Sequence, residues 1–272
     1  MKRIRFTTRA ASGFTLIELM VVVGVMALMM ALVIPAFTAM AGGSSLVSTA
    51  ASIKELLQQA RSYAMANNTF VFVGVTEVSG AQGSSVSPQA PGTGRVALGL
   101  VASRDGTCGY DPNNPQGGWL NTPNNGANLV SIDRLQHFDN FHLADFSTFA
   151  SGTGGFTGTG AMTRPALQST RQSVGNPKCV SATQFSWPLG SVYGSGQYNF
   201  STVIEFDPQG VARIQLNNQG SGTTGSTVVT YLEIDLQPAH GSTFLPVTDP
   251  NTGNIAAIQI TGITGAVQAY MP

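Results

Sequence analysis

The stretch from Lys2 to Ala41 limits most strongly what this chain can become. Four basic residues, Lys2, Arg3, Arg5 and Arg9, lead to Ser12-Gly13. The 28 residues from Phe14 to Ala41 then carry a single charge, Glu18. As a helix this segment is about 42 Å long, more than the roughly 30 Å hydrocarbon core of a bilayer. The sequence therefore predicts a transmembrane or otherwise enclosed helix over residues 14–41. The basic leader orients it: positive residues stay cytoplasmic, so everything after the helix lies outside the inner membrane. A carboxylate in such a segment costs about 2.5–3.5 kcal/mol at the bilayer centre and less toward its edge, which makes Glu18 a functional candidate.

Two ordinary explanations fit this segment less well. A secretory signal peptide has an apolar core of about 7–15 residues followed by its cleavage site. Here Gly13 precedes the apolar core, so the core stays with the mature chain. A plain membrane anchor accounts for the leader and the length but gives Glu18 no purpose.

Gly13-Phe14-Thr15-Leu16-Ile17-Glu18 resembles the processing site of type IV prepilins and type II secretion pseudopilins. The resemblance implies cleavage between Gly13 and Phe14 by a prepilin peptidase/N-methyltransferase, with Phe14 becoming the methylated first residue. It implies a single-pass protein of the bacterial inner membrane that later joins other pilins or pseudopilins in a filament. It also implies that Glu18 pairs with the Phe14 amine of a neighbouring subunit. Pro35 falls where many helices of that family kink, since proline removes a helical hydrogen bond and clashes with the preceding turn. The implied fold is α+β and pilin-like: one long N-terminal helix packed on an antiparallel β-sheet domain.

Charge and cysteine content fit an exported protein. The chain has 13 Lys/Arg and 13 Asp/Glu, and loss of the leader leaves 9 against 13. Charged residues make up only 10% of the chain, with Gly, Ser, Thr, Asn and Gln supplying polarity instead. An acidic mature chain lacks the basic patch that nonspecific nucleic-acid binding needs, so nucleic acid is not an expected partner. Cys108 and Cys179 read as one disulfide in an oxidising periplasm; two separate thiols are the alternative.

The organisation expected is a leader at 1–13, an apolar helix at 14–41, an amphipathic helix at 42–68 and a β-rich domain at 69–272. Gly42-Gly43-Ser44-Ser45 predicts a loosening of the helix. Leu46, Ala50, Ile53, Leu57, Ala60 and Ala64 then recur at three- and four-residue spacing, and Asn67-Asn68 ends the pattern. Thr69–Val78, Arg95–Ala102, Thr202–Phe206, Val211–Leu216, Thr227–Leu236, Asn254–Ile260 and Gly265–Tyr270 read as strands. Residues 105–126 and 147–183 read as long, turn-rich or low-complexity connections.

Ile204 to Gly210, Ile258 to Ile260, Gly265 to Val267 and the helix end Leu57 to Ala64 resemble the GspH/FimT-type minor pseudopilins. Some members of that group bind DNA through arginines beside the terminal glycine. Here Gly265-Ala266-Val267-Gln268-Ala269-Tyr270 has no basic residue.

No nucleophile motif or phosphate loop appears. His137, Asp139, His142 and Asp145 could supply metal ligands, but neither helical nor strand spacing gathers all four, and polar positions between core residues explain them better. Glu205, Asp207, Glu233 and Asp235 read as solvated strand positions. The expectation is a structural minor subunit with no catalytic residues, no metal and no cofactor. The alternatives are a tip adhesin or DNA-uptake pilin, and an anchored extracytoplasmic enzyme.

Overall fold

The computed structural model describes residues 15–108, 129–147, 164–165, 167, 170–181, 183–191, 194–216, 228–245, 247 and 254–271, with side chains left out at 31–44 and 170. The class is α+β, as expected: one long helix and antiparallel sheets. Helix α1, Leu16–Asn67, has 52 residues and runs through Gly42–Ser45 without interruption. The chain nevertheless divides at that point into two units, Met1–Ser44 and Ser45–Pro272. The glycine pair thus marks a boundary in packing and not in the hydrogen-bonded helix.

The second half of α1 belongs to the β unit. Leu46, Ala50, Ile53, Leu57, Ala60 and Ala64, the stripe that the spacing predicted, are all buried in the main core. Full burial of one leucine or isoleucine contributes about 1.5–3 kcal/mol, so the roughly five turns of this stripe anchor the helix firmly. Asn68 ends the helix in the left-handed region at φ 48°, and the Thr69 amide donates to the Ala64 carbonyl at 3.1 Å. This is the six-to-one bond of a Schellman cap, with asparagine where glycine is more usual.

Two sheets form the rest of the core. Sheet A contains β1 (Val71–Ser79), β2 (Gly94–Ser103), β3 (Leu129–Ser131), β4 (Gln136–Asp139), β8 (Thr202–Phe206) and β9 (Ala212–Arg213), in the order β3-β2-β1-β8-β9 with β4 also paired to β2. Sheet B contains β5 (Phe141–Ala144), β10 (Tyr231–His240), β11 (Thr243–Phe244), β12 (Ala256–Thr261) and β13 (Val267–Tyr270), in the order β11-β10-β12-β13 with β5 also on β10. A separate hairpin joins β6 (Phe185–Trp187) to β7 (Tyr198–Phe200).

Sheet A is covered on both faces, which explains why every residue of β2 is buried. Val71, Val73, Val75, Val96, Leu98 and Leu100 face the core that holds α1. Phe72, Ala97 and Val101 face the other way, against Phe185, Tyr198 and Phe200 of the β6–β7 hairpin. Gly74 and Gly99 form the floor on which that hairpin sits. A Cβ on Gly74 would lie 2.5 Å from Phe200 Cγ and 2.7 Å from Phe185 Cζ, inside contact distance. Gly74→Ala is therefore expected to destabilise the β unit by about 1–3 kcal/mol through overpacking. A urea melt checks this; an unchanged midpoint would show that the hairpin does not rest there.

The structure moves two expected strands. The return strand after the Asp207–Gly210 turn is only Ala212–Arg213, while the turn itself is fixed by Gln209 and Val211 amides donating to Asp207 Oδ1, both at 2.9 Å. The strand expected at Thr227–Leu236 begins at Tyr231 and continues to His240. Its later half pairs with β5, from Asp235↔Ala144 to Pro238↔Phe141, a partner about ninety residues away in sequence.

Candidate processing and assembly segment

The helix begins with a reciprocal cap. The Glu18 amide donates to Thr15 Oγ1 at 3.3 Å, and Glu18 Oε2 accepts from the Thr15 amide at 2.9 Å and the Thr15 hydroxyl at 2.8 Å. Thr15-Leu16-Ile17-Glu18 is thus a capping box, satisfying backbone donors that a helix start otherwise leaves open. The sequence reading assigned Glu18 a cost in the membrane and a pairing role in assembly, and did not foresee its role in the cap. Thr15-Leu16-Ile17-Glu18 carries the S/T-x-x-E signature of such a cap directly before the apolar run.

From Leu16 to Met30 the helix is apolar all round and all of it is exposed; Leu16 retains 78% of its surface and Met30 64%. A helix hydrophobic on every side is one that buries itself among other helices or in lipid. Among the described residues no helix is long and apolar enough to cross a membrane. The apolar run continues past Met30 into residues whose side chains lie outside the description, Pro35 among them. Gly13 and Phe14 also lie outside the described residues.

Residues 8–34 match the family model of the prokaryotic N-terminal methylation motif. This chain carries the type IV prepilin and pseudopilin signature. The match spans Gly13, Phe14 and Glu18, the residues singled out from the sequence. It implies processing by a prepilin peptidase and assembly with other pilins. No curated protein and no solved structure matches the chain significantly.

Beyond the motif, the acidic and histidine candidates of the β unit lie in separate clusters. The four candidate metal ligands are divided between the sheets: His137 and Asp139 lie on β4, His142 lies on β5 and Asp145 follows it. Asp139 pairs with Arg95, and Asn176 donates to Asp145 Oδ2 at 2.5 Å. His142 Nδ1 lies 2.9 Å from both oxygens of Glu77, a β1 residue, and its ring stacks on Phe244 at 3.8 Å. Glu77 also accepts from the amides of Gly94 at 2.8 Å and Leu143 at 3.2 Å, so this one carboxylate links both sheets.

The reading of Glu205, Asp207, Glu233 and Asp235 as solvated is wrong: all four are buried. Alternation places residues on a common face but does not reveal whether that face is covered. Glu205 is held by Arg213 at 2.7 Å and Gln215 at 2.6 Å, while burial raises its pKa above the ordinary carboxylic-acid value against the pull of Arg213. Glu233 meets Arg164 at 2.8 Å in an ion pair with both side chains essentially sealed from water.

The disulfide expected between Cys108 and Cys179 is not formed in the structure. The Cys179 carbonyl accepts from Thr202 Oγ1 at 2.6 Å, and Thr202 pairs with Val75 of β1. The turn toward Cys108 leaves β2 at Ser103, whose amide donates to the Phe70 carbonyl. Cys179 sits in the main core, where burial pushes its thiol up to about 12. Such a thiol is not a nucleophile near neutral pH.

Proposed function

We propose that this chain is a minor structural subunit of a type IV pilus or of a type II secretion pseudopilus, of the GspH/FimT type. The observation that carries the reading is the methylation motif at residues 8–34, set at the capped start of a helix whose stretch Leu16–Met30 is exposed and, Glu18 apart, uncharged. In this reading the segment 14–41 spans the inner membrane until Gly13 is cut and Phe14 methylated. The helix then packs into the filament core, and the β unit, a pilin-like domain, faces outward. The role is structural and not catalytic. The separation and burial of the polar clusters support it, since a catalytic site needs such groups to converge on one accessible place.

Two substitutions at Glu18 test the reading, each expressed beside the partner pilins. Wild-type protein is expected to carry an N-methylated Phe14 by mass spectrometry. Glu18→Ala removes both the cap and the charge; Glu18→Gln keeps a capping box but loses the charge. Both variants are expected to insert and to be cut, and both to co-purify poorly with filaments, because an unpaired neighbouring ammonium in a dry helix bundle is costly. If Glu18→Gln assembles like wild type while Glu18→Ala does not, the residue serves only as a helix cap. A mature N-terminus at Met1, or one after Ala41, would sink the prepilin reading itself.

A further inference from the structure

Glu233 and Asp235 project from the same face of β10 and are fully buried. Two described stretches, Arg164–Pro165 and Ser173–Val174, are pinned against that face and form its cover. At the first, Arg164 Nη2 reaches Glu233 Oε1 at 2.8 Å and donates to the Phe146 carbonyl at 3.0 Å, and Gln259 Nε2 donates to the Pro165 carbonyl at 2.7 Å and to Glu233 Oε2 at 2.6 Å. At the second, Ser173 Oγ donates to Asp235 Oδ2 at 3.2 Å, and the Val174 amide donates to the Glu233 carbonyl at 2.8 Å.

The charges do not balance. Two carboxylates lie beside one another in a dry site, with one guanidinium paired to Glu233. Asp235 Oδ2 takes two donors, from Ser173 and from the Phe146 amide at 3.0 Å, while Asp235 Oδ1 is buried and accepts none. A carboxyl with one accepting oxygen and one idle oxygen, next to a second carboxylate, is the pattern of a carboxylic acid whose O–H points at its neighbour. We propose that Glu233 and Asp235 share one proton, and that this proton latches the Arg164–Pro165 and Ser173–Val174 cover onto sheet B.

The electrostatics agree with the geometry. Burial, followed by the charge of Glu233, holds the Asp235 carboxyl well above the ordinary range, and burial raises Glu233 against the pull of Arg164. Of the other ionisable groups nearby, Asp145 after β5 acts on Glu233 and Glu233 acts on Tyr270 of β13, while Arg171, in the 3-10 turn Thr170–Gln172, acts on Cys179. None of these supplies a second cation paired to Asp235 in place of its proton.

The sign of the pH dependence follows. When the cover lifts, Asp235 meets water and returns to its ordinary acidity. The closed state therefore binds a proton that the open state has lost, over the pH range between the ordinary and the raised value. The latch is tightest in acid and weakens as pH rises through that range.

Hydrogen exchange by mass spectrometry on the full-length protein in detergent reads this directly. Protection factors, corrected for base catalysis, are compared from pH 5 to pH 8 for peptides covering Arg164–Val174. Wild type is expected to lose protection by up to about tenfold per pH unit for a one-proton latch. Asp235→Asn carries a permanent donor, and its protection is expected to stay level. Level protection in wild type, or an equal fall in Asp235→Asn, overturns the proposal. If Asp235→Asn does not fold, infrared spectra of wild type decide. A buried carboxylic-acid C=O band at neutral pH that disappears on alkaline opening supports the latch, and its absence at neutral pH overturns it.

Discussion

Gly13→Leu is expected to leave the chain uncut. The proposed cleavage falls between Gly13 and Phe14, directly before the Thr15 cap, so the peptidase must accept residue 13 against its reacting groups with little slack in the substrate. A branched side chain there displaces the scissile bond, and a misplacement of about 1 Å can cost roughly 100-fold in rate. Intact-mass measurement should find a species that retains residues 1–13 and an unmethylated interior Phe14. Normal cleavage of this variant would mean that glycine is incidental and that the processing site lies elsewhere. Because the substitution falls outside the unit Ser45–Pro272, the β unit of the uncut protein should unfold at the wild-type denaturant midpoint.

Arg164→Ala is expected to cost about 3–5 kcal/mol, the usual consequence of removing one partner of a sealed ion pair. Arg164 and Glu233 retain 1% and 0% of their side-chain surface, so water cannot replace the lost contact without opening the structure. The double variant Arg164→Ala/Glu233→Gln should recover part of the loss, since it leaves no uncompensated charge behind. Denaturant melts of the single and double variants give the comparison. A single-variant loss below about 1 kcal/mol would place the pair among solvent-screened bridges, contrary to its burial.

Much of the β unit's architecture was legible in the sequence, and the reasons are local. The helical stripe from Leu46 to Ala64 is a one-dimensional pattern, and each of its residues is buried as the spacing required. Asn67-Asn68 ended the helix as read, because asparagine tolerates the left-handed conformation that the cap needs. Strand locations followed from runs of Val, Ile and Phe between turn residues. What stayed hidden depends on distant partners. Glu233 and Asp235 were correctly seen to alternate with Leu232, Ile234 and Leu236, but nothing nearby announced a cover. Arg164, its pin, sits inside a low-complexity stretch that offered no periodicity. Nothing near Gly74 and Gly99 in sequence announced that the aromatic side chains of a hairpin roughly a hundred residues later rest on them. At the N-terminal segment the motif was legible from its residues and matches the methylation-motif family over residues 8–34, whereas the capping role of Thr15 was not foreseen.

The pairing of β1 has a consequence for the order of folding. Its neighbour on one side is β2, which follows within a few tens of residues, but its other neighbour is β8, antiparallel from Val71↔Phe206 to Val75↔Thr202. Val71 and Thr202 are separated by 131 positions (202 − 71). At a synthesis rate of about 5–20 residues per second, that edge waits roughly 6–26 s for its partner to be made. During the wait the β1 edge is an open template for any other strand. The nascent protein therefore spends its most aggregation-prone interval with β2 already beside β1 and the opposite edge bare, and a chaperone or the growing chain itself has to occupy that edge until Thr202–Phe206 arrives.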